Sequence, residues 1–313
     1  MASSLIAVAA ALLSLLLAIA LVDATVKHSY HHAVGRRHSN HPYHRRAAHP
    51  YHHRAGHPYH RRAAHPYHAR AVHRPLVKHH RPKFKPGPWV HAHATFYEGS
   101  STSFGGACNY KDVIASGFGL NTVAVSDVLF KNGQACGACY ELQCVDDPHY
   151  CKLGQPSLTI TATDRCPPNP SQPSDNGGWC NPPREHFDIA KPVFNQLADY
   201  VAGIIPVQYR RVPCQRRGGI RFTITGNPWF YQVVVWNVGG AGDVTSLQVK
   251  GNKKLKWTQM QRDWGTTWKT SAILQGESLT FRVQASDGRF STAWHVAPKN
   301  WQFGQTFEGK NFK

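Results

Sequence analysis

Eight cysteines lie between residues 108 and 214, and the rest of this 313-residue chain contains none. An even set at this density is typical of exported domains that are stabilised by disulfides. The spacing of Cys136 and Cys139 also occurs in redox centres and half zinc sites, but no second such pair accompanies it. We therefore expect structural disulfides, no metal site and no cofactor, with the pairing open because eight cysteines allow about a hundred arrangements. The candidate disulfide cysteines are Cys108, Cys136, Cys139, Cys144, Cys151, Cys166, Cys180 and Cys214.

Residues 1–24 have the pattern of a secretory signal peptide. The segment from Leu5 to Val22 is an uncharged, mostly apolar run of 18 residues, and Ala24 follows as a small residue suited to cleavage. The run is also just long enough to act as a membrane anchor. Because the cysteines favour export, we expect cleavage near Ala24 and a secreted, extracellular protein with no stable membrane anchor.

The positive charge of the chain is concentrated in residues 25–88. The formal net charge is +19, and this segment holds 14 Lys/Arg, 16 His and no Asp or Glu. From Trp89 onward, 22 Lys/Arg face 16 Asp/Glu, an excess of only six. The high pI therefore belongs to an appendage, which argues against a folded nucleic-acid-binding domain.

The basic segment contains an eight-residue repeat that begins at His41, His49, His57 and His65. Each unit combines a proline with one or two arginines, and Val72 in the fourth is the only branched aliphatic residue of the four units, so we expect the repeats to be disordered. Regularly spaced cations are suited to binding a polyanion. A solvated spacer and metal capture by the histidines are the alternatives.

Residues 89–219 combine Gly, Pro and Cys with short alternating runs such as Leu158–Thr163, which predicts a β-barrel. One helix is expected after Asp188, because apolar residues from Ile189 to Tyr200 recur near helical spacing. Residues 220–313 contain no cysteine and several alternating runs separated by glycine turns, which predicts a small all-β sandwich.

Two carboxylates are candidates for chemistry. Asp164 ends the predicted strand and Asp188 precedes the predicted helix, so the pair could act as general acid and base on a glycosidic bond. The alternatives are that Asp188 caps the helix and that Asp164 is a turn carboxylate paired with Arg165.

The predicted sandwich contains more aromatic residues than a core of its size requires. Trp236 lies within an apolar run and is expected in that core. The surplus suggests an exposed platform that stacks on sugar rings, for which Tyr231, Trp257 and Trp264 are the candidates, with core packing as the alternative for each.

From Trp89 to its end the sequence resembles the plant α-expansins, over about 225 residues of the 313. The strings that carry the resemblance are Ala94-Thr95-Phe96-Tyr97, Gly105-Gly106-Ala107-Cys108, Cys136-Gly137-Ala138-Cys139, Ser174-Asp175-Asn176-Gly177-Gly178-Trp179-Cys180-Asn181-Pro182-Pro183-Arg184, His186-Phe187-Asp188, Tyr209-Arg210-Arg211-Val212-Pro213-Cys214, Asn237-Val238-Gly239-Gly240-Ala241-Gly242-Asp243 and Trp301-Gln302-Phe303-Gly304-Gln305-Thr306-Phe307.

The resemblance implies an all-β protein: a six-stranded double-psi β-barrel related to family-45 endoglucanases, followed by an immunoglobulin-like, cellulose-binding β-sandwich. It implies a secreted protein that loosens cell walls at acidic pH without hydrolysing them. By the same resemblance the barrel groove contains Thr95, Tyr97, Asp164, His186 and Asp188. A linear aromatic platform falls on Tyr231 and Trp264, with Phe230 or Trp257.

The resemblance further implies that Asp188 matches the general acid of the endoglucanases, while Gly99 stands where they carry the aspartate base. Hydrolysis is then not expected, since no group activates water. Glu98 is one residue out of register and would point the other way. Asp164 is a departure, because α-expansins more often have Asn at this position.

Three functions follow as hypotheses. The first is a monomeric, non-enzymatic wall-loosening protein that binds cellulose and matrix glucans such as xyloglucan, and acidic pectin through residues 25–88. The second is an endoglucanase or lytic enzyme that uses Asp188 with Asp164 or Glu98. The third is a structural or defence protein that acts through its polycationic segment.

Overall fold

The computed structural model describes residues 83–98 and 106–312. The predicted signal peptide, the basic repeats and Gly99 lie outside these residues. The described parts of the chain fall within one compact unit and belong to a single body. No helix among the described residues is long and apolar enough to cross a membrane.

The first half of the described chain is a closed six-stranded barrel, as predicted. Around the barrel the strand order is β1-β5-β2-β4-β3-β6, with β1 parallel to β5 and β2 parallel to β4. The strands are β1 (Val90–Tyr97), β2 (Thr122–Ser126), β3 (Cys139–Cys144), β4 (Ser157–Cys166), β5 (His186–Ala190) and β6 (Ile205–Val212).

Alternate side chains of each strand fill the barrel. Ala92 and Ala94 of β1 are buried in the core, and Phe187 and Ile189 of β5 pack beside them. Small residues on β1 leave room for these larger neighbours. The opposite face of β1, which carries Thr95, is only half-buried and is available to form a site.

The predicted long helix after Asp188 is wrong. Asp188 and Ile189 lie in strand β5, and the helix that follows, α2, has only four residues (Lys191–Phe194). The apolar spacing that suggested a helix comes from a strand, one helical turn and a short 3₁₀ helix (Tyr200–Ala202) in succession. Ala190 occupies the N-cap position of helix α2, which has no side-chain cap, so Asp188 is not a helix cap. A first short helix, α1 (Asp127–Phe130), was not predicted.

Four disulfides stabilise the barrel, and none of the cysteines is free. The bond between Cys139 and Cys214 closes the largest loop, with a sequence separation of 75. The bond between Cys166 and Cys180 ties down the loop that follows β4. The other pairs are Cys108–Cys136 and Cys144–Cys151.

The second half is the predicted β-sandwich. Its strands are β7 (Arg221–Asn227), β8 (Phe230–Trp236), β9 (Val244–Lys250), β10 (Thr258–Trp264), β11 (Thr267–Thr270), β12 (Leu279–Ala285), β13 (Phe290–Ala297) and β14 (Thr306–Glu308).

Strand β10 changes sheet partway along its length. Its first residues pair with β9, and residues from Gln261 onward pair with β11, with a register irregularity between Arg262 and Trp264. One layer therefore contains β10-β11-β8-β7-β14, which we call the front sheet, and the other contains β13-β12-β9-β10, which we call the back sheet. The two layers meet in the core, where the rings of Phe222 and Phe281 stack with centroids 4.7 Å apart.

Backbone and ring contacts join the sandwich to the barrel. Thr266 donates both its N–H and its hydroxyl to the Cys108 carbonyl, at 3.1 and 2.8 Å. Gly265 approaches the Cys108 backbone so closely that a Cβ atom there would lie 2.7 Å from the carbonyl oxygen. Trp236, expected in the sandwich core, is instead half-buried and packs against the barrel core, because its strand faces the barrel at this point.

Candidate functional site

Three polar side chains predicted for the site share one row across four strands of the barrel. Thr95 on β1 pairs with Asp188 on β5, and Asp188 pairs with Ala124 on β2. Ala124 in turn pairs with Asp164 on β4. Because neighbouring strands are about 4.8 Å apart, the two carboxylates originate from backbone positions about 10 Å apart.

A hydrogen-bond chain connects three of the predicted residues. The Thr95 hydroxyl donates to Asp188 Oδ1 at 3.0 Å, and Thr95 Oγ1 lies 2.8 Å from Nε2 of His186. Since Thr95 uses its proton toward Asp188, His186 donates through Nε2. Burial, with the charges of His93 and Arg184, lowers the pKa of His186 to about 3. His186 is therefore a neutral, fixed donor at acidic pH.

The Asp188 carboxyl favours its protonated form. Burial raises its pKa above the usual value, and the charge of Asp164 adds to this effect, while the hydrogen bond from Thr95 opposes it. The raised pKa extends to higher pH the range in which the carboxyl carries a proton and can donate a hydrogen bond to a bound ligand.

Asp164 holds a loop in place. Its Oδ1 accepts the backbone N–H of Ala107 at 2.6 Å and that of Arg165 at 2.7 Å. Gly106 has a φ of +52°, and a Cβ there would lie 2.7 Å from the Asp164 carboxyl carbon. The predicted pairing of Asp164 with Arg165 is wrong, because the Arg165 guanidinium pairs with Asp127 instead.

The neighbours of Thr95 along β1 fall on opposite faces. Tyr97 is half-buried and lies two residues beyond Thr95, on the same face of the strand. Glu98 forms an ion pair with Lys191 at 2.6 Å, and the Lys191 ammonium lies 5.3 Å from the centre of the Phe96 ring. The Glu98 carboxylate is thus held by a cation on the other side from Thr95.

The row of polar residues opens into a cavity of about 470 Å³ that contacts Thr95 and Asp188. Its far wall includes Trp179 and the disulfide from Cys166 to Cys180. Trp179 was not among the predicted site residues, although its place between two glycines and a half-cystine marks an aromatic ring held on a constrained loop. Among the described residues, no three His, Cys, Asp or Glu side chains converge as metal ligands would.

In the sandwich, Tyr231 is wrong as a platform residue. Its side chain is 1% exposed, and its hydroxyl donates to the Pro228 carbonyl at 2.8 Å. Strand β8 alternates, so Tyr231 points into the core while Phe230 is 40% exposed. Pro228 and Trp229 form the two-residue turn before β8, and Trp229 is 83% exposed. Trp229 is the residue that the sequence prediction missed.

The two remaining platform candidates lie on different sheets. Trp264 is 45% exposed at the edge of the front sheet, with its ring 5.7 Å from that of Phe130 in helix α1. Trp257 is half-buried at the start of β10 beside the back sheet, where its ring contacts Trp294. The predicted aromatic set is therefore not one surface. Trp229, Phe230 and Trp264 belong to the front sheet.

Two family models match the described domains. One described as the expansin C-terminal domain matches residues 220–298, and one described as lytic transglycolase matches residues 122–209. Expansin-A32 of Oryza sativa subsp. japonica is 59% identical over 241 residues, which cover 76% of this chain and 90% of that protein. Expansin-A7 of Arabidopsis thaliana is 50% identical over 234 residues, covering 74% and 88%.

Two solved structures have a similar fold. The expansin of Clavibacter michiganensis in its apo form superposes with a TM-score of 0.54 at 20% identity, covering 72% of this chain and 97% of that one. A mutant of the same bacterial protein in complex with cellohexaose gives a TM-score of 0.52 at 19% identity, covering 71% and 96%. Both support a barrel followed by a sandwich as a shared architecture.

Proposed function

The chain belongs to the expansin A family of plants, and from this premise we propose that it is a secreted protein that loosens cell walls at acidic pH. It acts by disrupting noncovalent contacts between glucan chains and does not hydrolyse them. The single observation that carries this proposal is the asymmetry of the groove: burial raises the pKa of the Asp188 carboxyl, whereas the other candidate carboxylates among the described residues, Glu98 and Asp164, are each held by a partner within the protein.

Hydrolysis with inversion requires an acid and a base on opposite sides of the glycosidic bond. Asp188 has the raised pKa of an acid. Glu98 is engaged by Lys191, and Oδ1 of Asp164 is engaged by two backbone N–H groups. Gly99, at the position of the endoglucanase base, has no side chain that could accept a proton.

Loosening without bond cleavage requires only an exchange of hydrogen bonds. A glucan chain in the groove accepts a hydrogen bond from protonated Asp188, whose orientation is fixed by Thr95 and His186. Trp179 supplies a ring for stacking on the sugar face. Each such bond contributes only about 1 kcal/mol net, so a chain can leave its neighbours and later be released.

The sandwich supplies the attachment to cellulose. Trp229, Phe230 and Trp264 stack on flat sugar faces, and the contact of Trp264 with Phe130 keeps this platform in a fixed relation to the barrel. Because both domains belong to one body, binding at the platform raises the local concentration of glucan at the groove. The partners are cellulose and matrix glucans, including xyloglucan.

The basic segment, residues 25–88, adds affinity for acidic pectin and retains the protein in the wall after the signal peptide has been removed. Its Lys and Arg residues supply a fixed positive charge, and its histidines add to this charge at acidic pH. The protein acts as a monomer in this scheme, without metal or cofactor.

The experiment that tests the proposal is extension of heat-inactivated plant wall strips under constant load at acidic pH. We expect extension with the full-length protein, loss of extension with Asp188→Asn, and retained extension when residues 25–82 are deleted. If extension were lost on deletion of residues 25–82 but retained in Asp188→Asn, the proposal would be contradicted. That result would favour a structural or defence protein that acts through its polycationic segment.

An endoglucanase is the second candidate, favoured by one observation. Asp164 and Asp188 share a row with backbone positions about 10 Å apart, a spacing compatible with an inverting acid and base. This candidate requires release of soluble or reducing sugars, which separates it from the first.

A further inference from the structure

The back sheet carries a second aromatic surface, separate from the barrel groove and from the front-sheet platform. It consists of Trp257, Trp294, Arg282 and Lys250, which we call the back patch. Trp294 is 60% exposed, and the other three side chains are half-buried. The proposed wall-loosening function uses none of them.

Contacts within the back patch fix the positions of its cations. The Arg282 guanidinium lies over the Trp257 ring at 4.1 Å, and the Lys250 ammonium lies 5.9 Å from the same ring. The Trp294 ring meets Trp257 edge-on, with centroids 6.1 Å apart and an interplanar angle of 68°. Trp257 therefore supports the patch, while Trp294 presents an exposed ring beside two positive charges.

These cations have no carboxylate partners among the described residues. The strands that form the back sheet around them, β9, β12 and β13, contain no Asp or Glu, and neither Arg282 nor Lys250 forms an ion pair there. On the front sheet the arrangement differs, since Lys269 pairs with Asp263 and Arg221 with Glu308. Arg282 and Lys250 are therefore cations that no ion pair within the described residues engages, unlike their counterparts on the front sheet.

We infer that the back patch binds an acidic polysaccharide, with a pyranose ring stacked on Trp294 and a uronate carboxylate between Arg282 and Lys250. A guanidinium that is already oriented by stacking donates two parallel N–H groups to a carboxylate. A neutral glucan would gain only the ring contact and leave both cations uncompensated. The occupant is therefore a uronic-acid polymer, and the site is independent of the basic segment.

The test is titration of the full-length protein with a short oligogalacturonide, followed through tryptophan indole N–H signals in NMR spectra. Residues 25–88 contain no tryptophan, so binding to that segment does not place a ligand beside an indole. Trp257→Phe and Trp294→Phe assign the two signals. We expect both signals to shift on titration, while those of Trp229 and Trp264 stay in place.

Substitution then tests the charges. Replacing Arg282 and Lys250 together by Gln should weaken the affinity read from these shifts at least about tenfold, and added salt should reduce the wild-type affinity. Arg221→Gln with Lys269→Gln removes the same charge from the front sheet and should leave the affinity within about twofold. Retained binding of cellohexaose shows that each variant is folded.

Three results would overturn the inference. The first is an absence of shifts at Trp257 and Trp294, which would leave any oligogalacturonide on the basic segment. The second is an equal response to cellohexaose, which would make the back patch a neutral glucan site. The third is equal loss of affinity in both charge variants, which would show that only overall charge matters.

Discussion

The barrel and the sandwich are both β-structures with apolar cores, but they build their sites in different ways. The barrel site rests on polar groups, the buried His186 and the half-buried Thr95 and Asp188, each fixed by a hydrogen bond within the protein. The sandwich site consists of aromatic rings that emerge from turns and strand edges, such as Trp229 and Trp264. A buried polar site must satisfy its own hydrogen bonds, whereas an exposed aromatic site depends only on which way a ring points.

The largest expected difference between the two domains concerns the disulfides, because only the barrel contains them. Replacing Cys139 and Cys214 by Ser should cost about 4 kcal/mol of unfolding free energy, since the bond closes a long loop in the unfolded chain. Replacing Cys144 and Cys151 is the matched control and should cost about 2 kcal/mol, because their separation is only 7 residues. Denaturant unfolding followed by circular dichroism measures both, and equal losses would contradict the loop-closure explanation.

The next largest effect should separate function from stability at Asp188. Asp188→Asn should reduce the wall extension rate at least about tenfold, because the amide is a weaker hydrogen-bond donor than a carboxylic acid. It should leave the unfolding free energy unchanged or raised at neutral pH, since the fold disfavours the ionised carboxylate.

The sign of the pH dependence follows from the raised pKa of Asp188. The folded protein binds this proton more tightly than the unfolded chain, so the contribution to stability is present at low pH and lost as the pH rises through the raised pKa. The stability of Asp188→Asn relative to wild type should therefore increase with pH. The control is Asp146→Asn, at an exposed position with a φ of +58° that Asn also tolerates. It should change neither the wall extension rate nor the unfolding free energy. A stability difference that fell with rising pH would contradict the assignment.

The barrel and the sandwich also differ in how much of their structure the sequence predicts. The barrel and the presence of disulfides could be predicted, because the cysteine count and short motifs such as His186-Phe187-Asp188 are informative by themselves. The disulfide pairing could not, because eight cysteines allow about a hundred arrangements. The helix after Asp188 could not, because a strand, a single turn and a 3₁₀ helix together imitate helical spacing over residues 189–200. Trp179 was missed for a similar reason, since its role depends on a loop closed by Cys166 and Cys180.

In the sandwich, exposure was the property that the sequence did not determine. Tyr231 and Phe230 are adjacent, and a shift of one residue in strand register exchanges which ring is buried. Trp257 and Trp264 lie at the two ends of β10, which changes sheet between them. The surplus of aromatic residues and the family resemblance therefore suggested one platform where the fold makes two surfaces.

The front-sheet platform leads to a third prediction. Trp229→Ala should weaken binding to cellulose about tenfold, because the ring is exposed and stacks on a sugar face. The control is Trp294→Ala, which removes a ring of similar exposure from the back sheet and should leave cellulose binding unchanged. Depletion isotherms with microcrystalline cellulose measure both. Equal losses of cellulose affinity in the two variants would contradict the assignment of cellulose binding to the front sheet.

The smallest expected effect concerns the turn that presents Trp229. Tyr231→Phe removes the hydrogen bond to the Pro228 carbonyl and should cost about 1 kcal/mol of unfolding free energy. Cellulose affinity should fall less than in Trp229→Ala, since the stacking ring remains. An affinity loss as large as that of Trp229→Ala, with unchanged stability, would contradict the buried supporting role of Tyr231.

The most direct test of the central claim measures extension and sugar release together on one wall strip. If the groove loosens glucan contacts without a catalytic base, the strip extends at acidic pH while no soluble or reducing sugar appears above the untreated control. Sugar release that accompanies extension and disappears in Asp188→Asn would contradict this account, because it would show that Asp188 acts as the acid of a hydrolase with Asp164 or another group as its base.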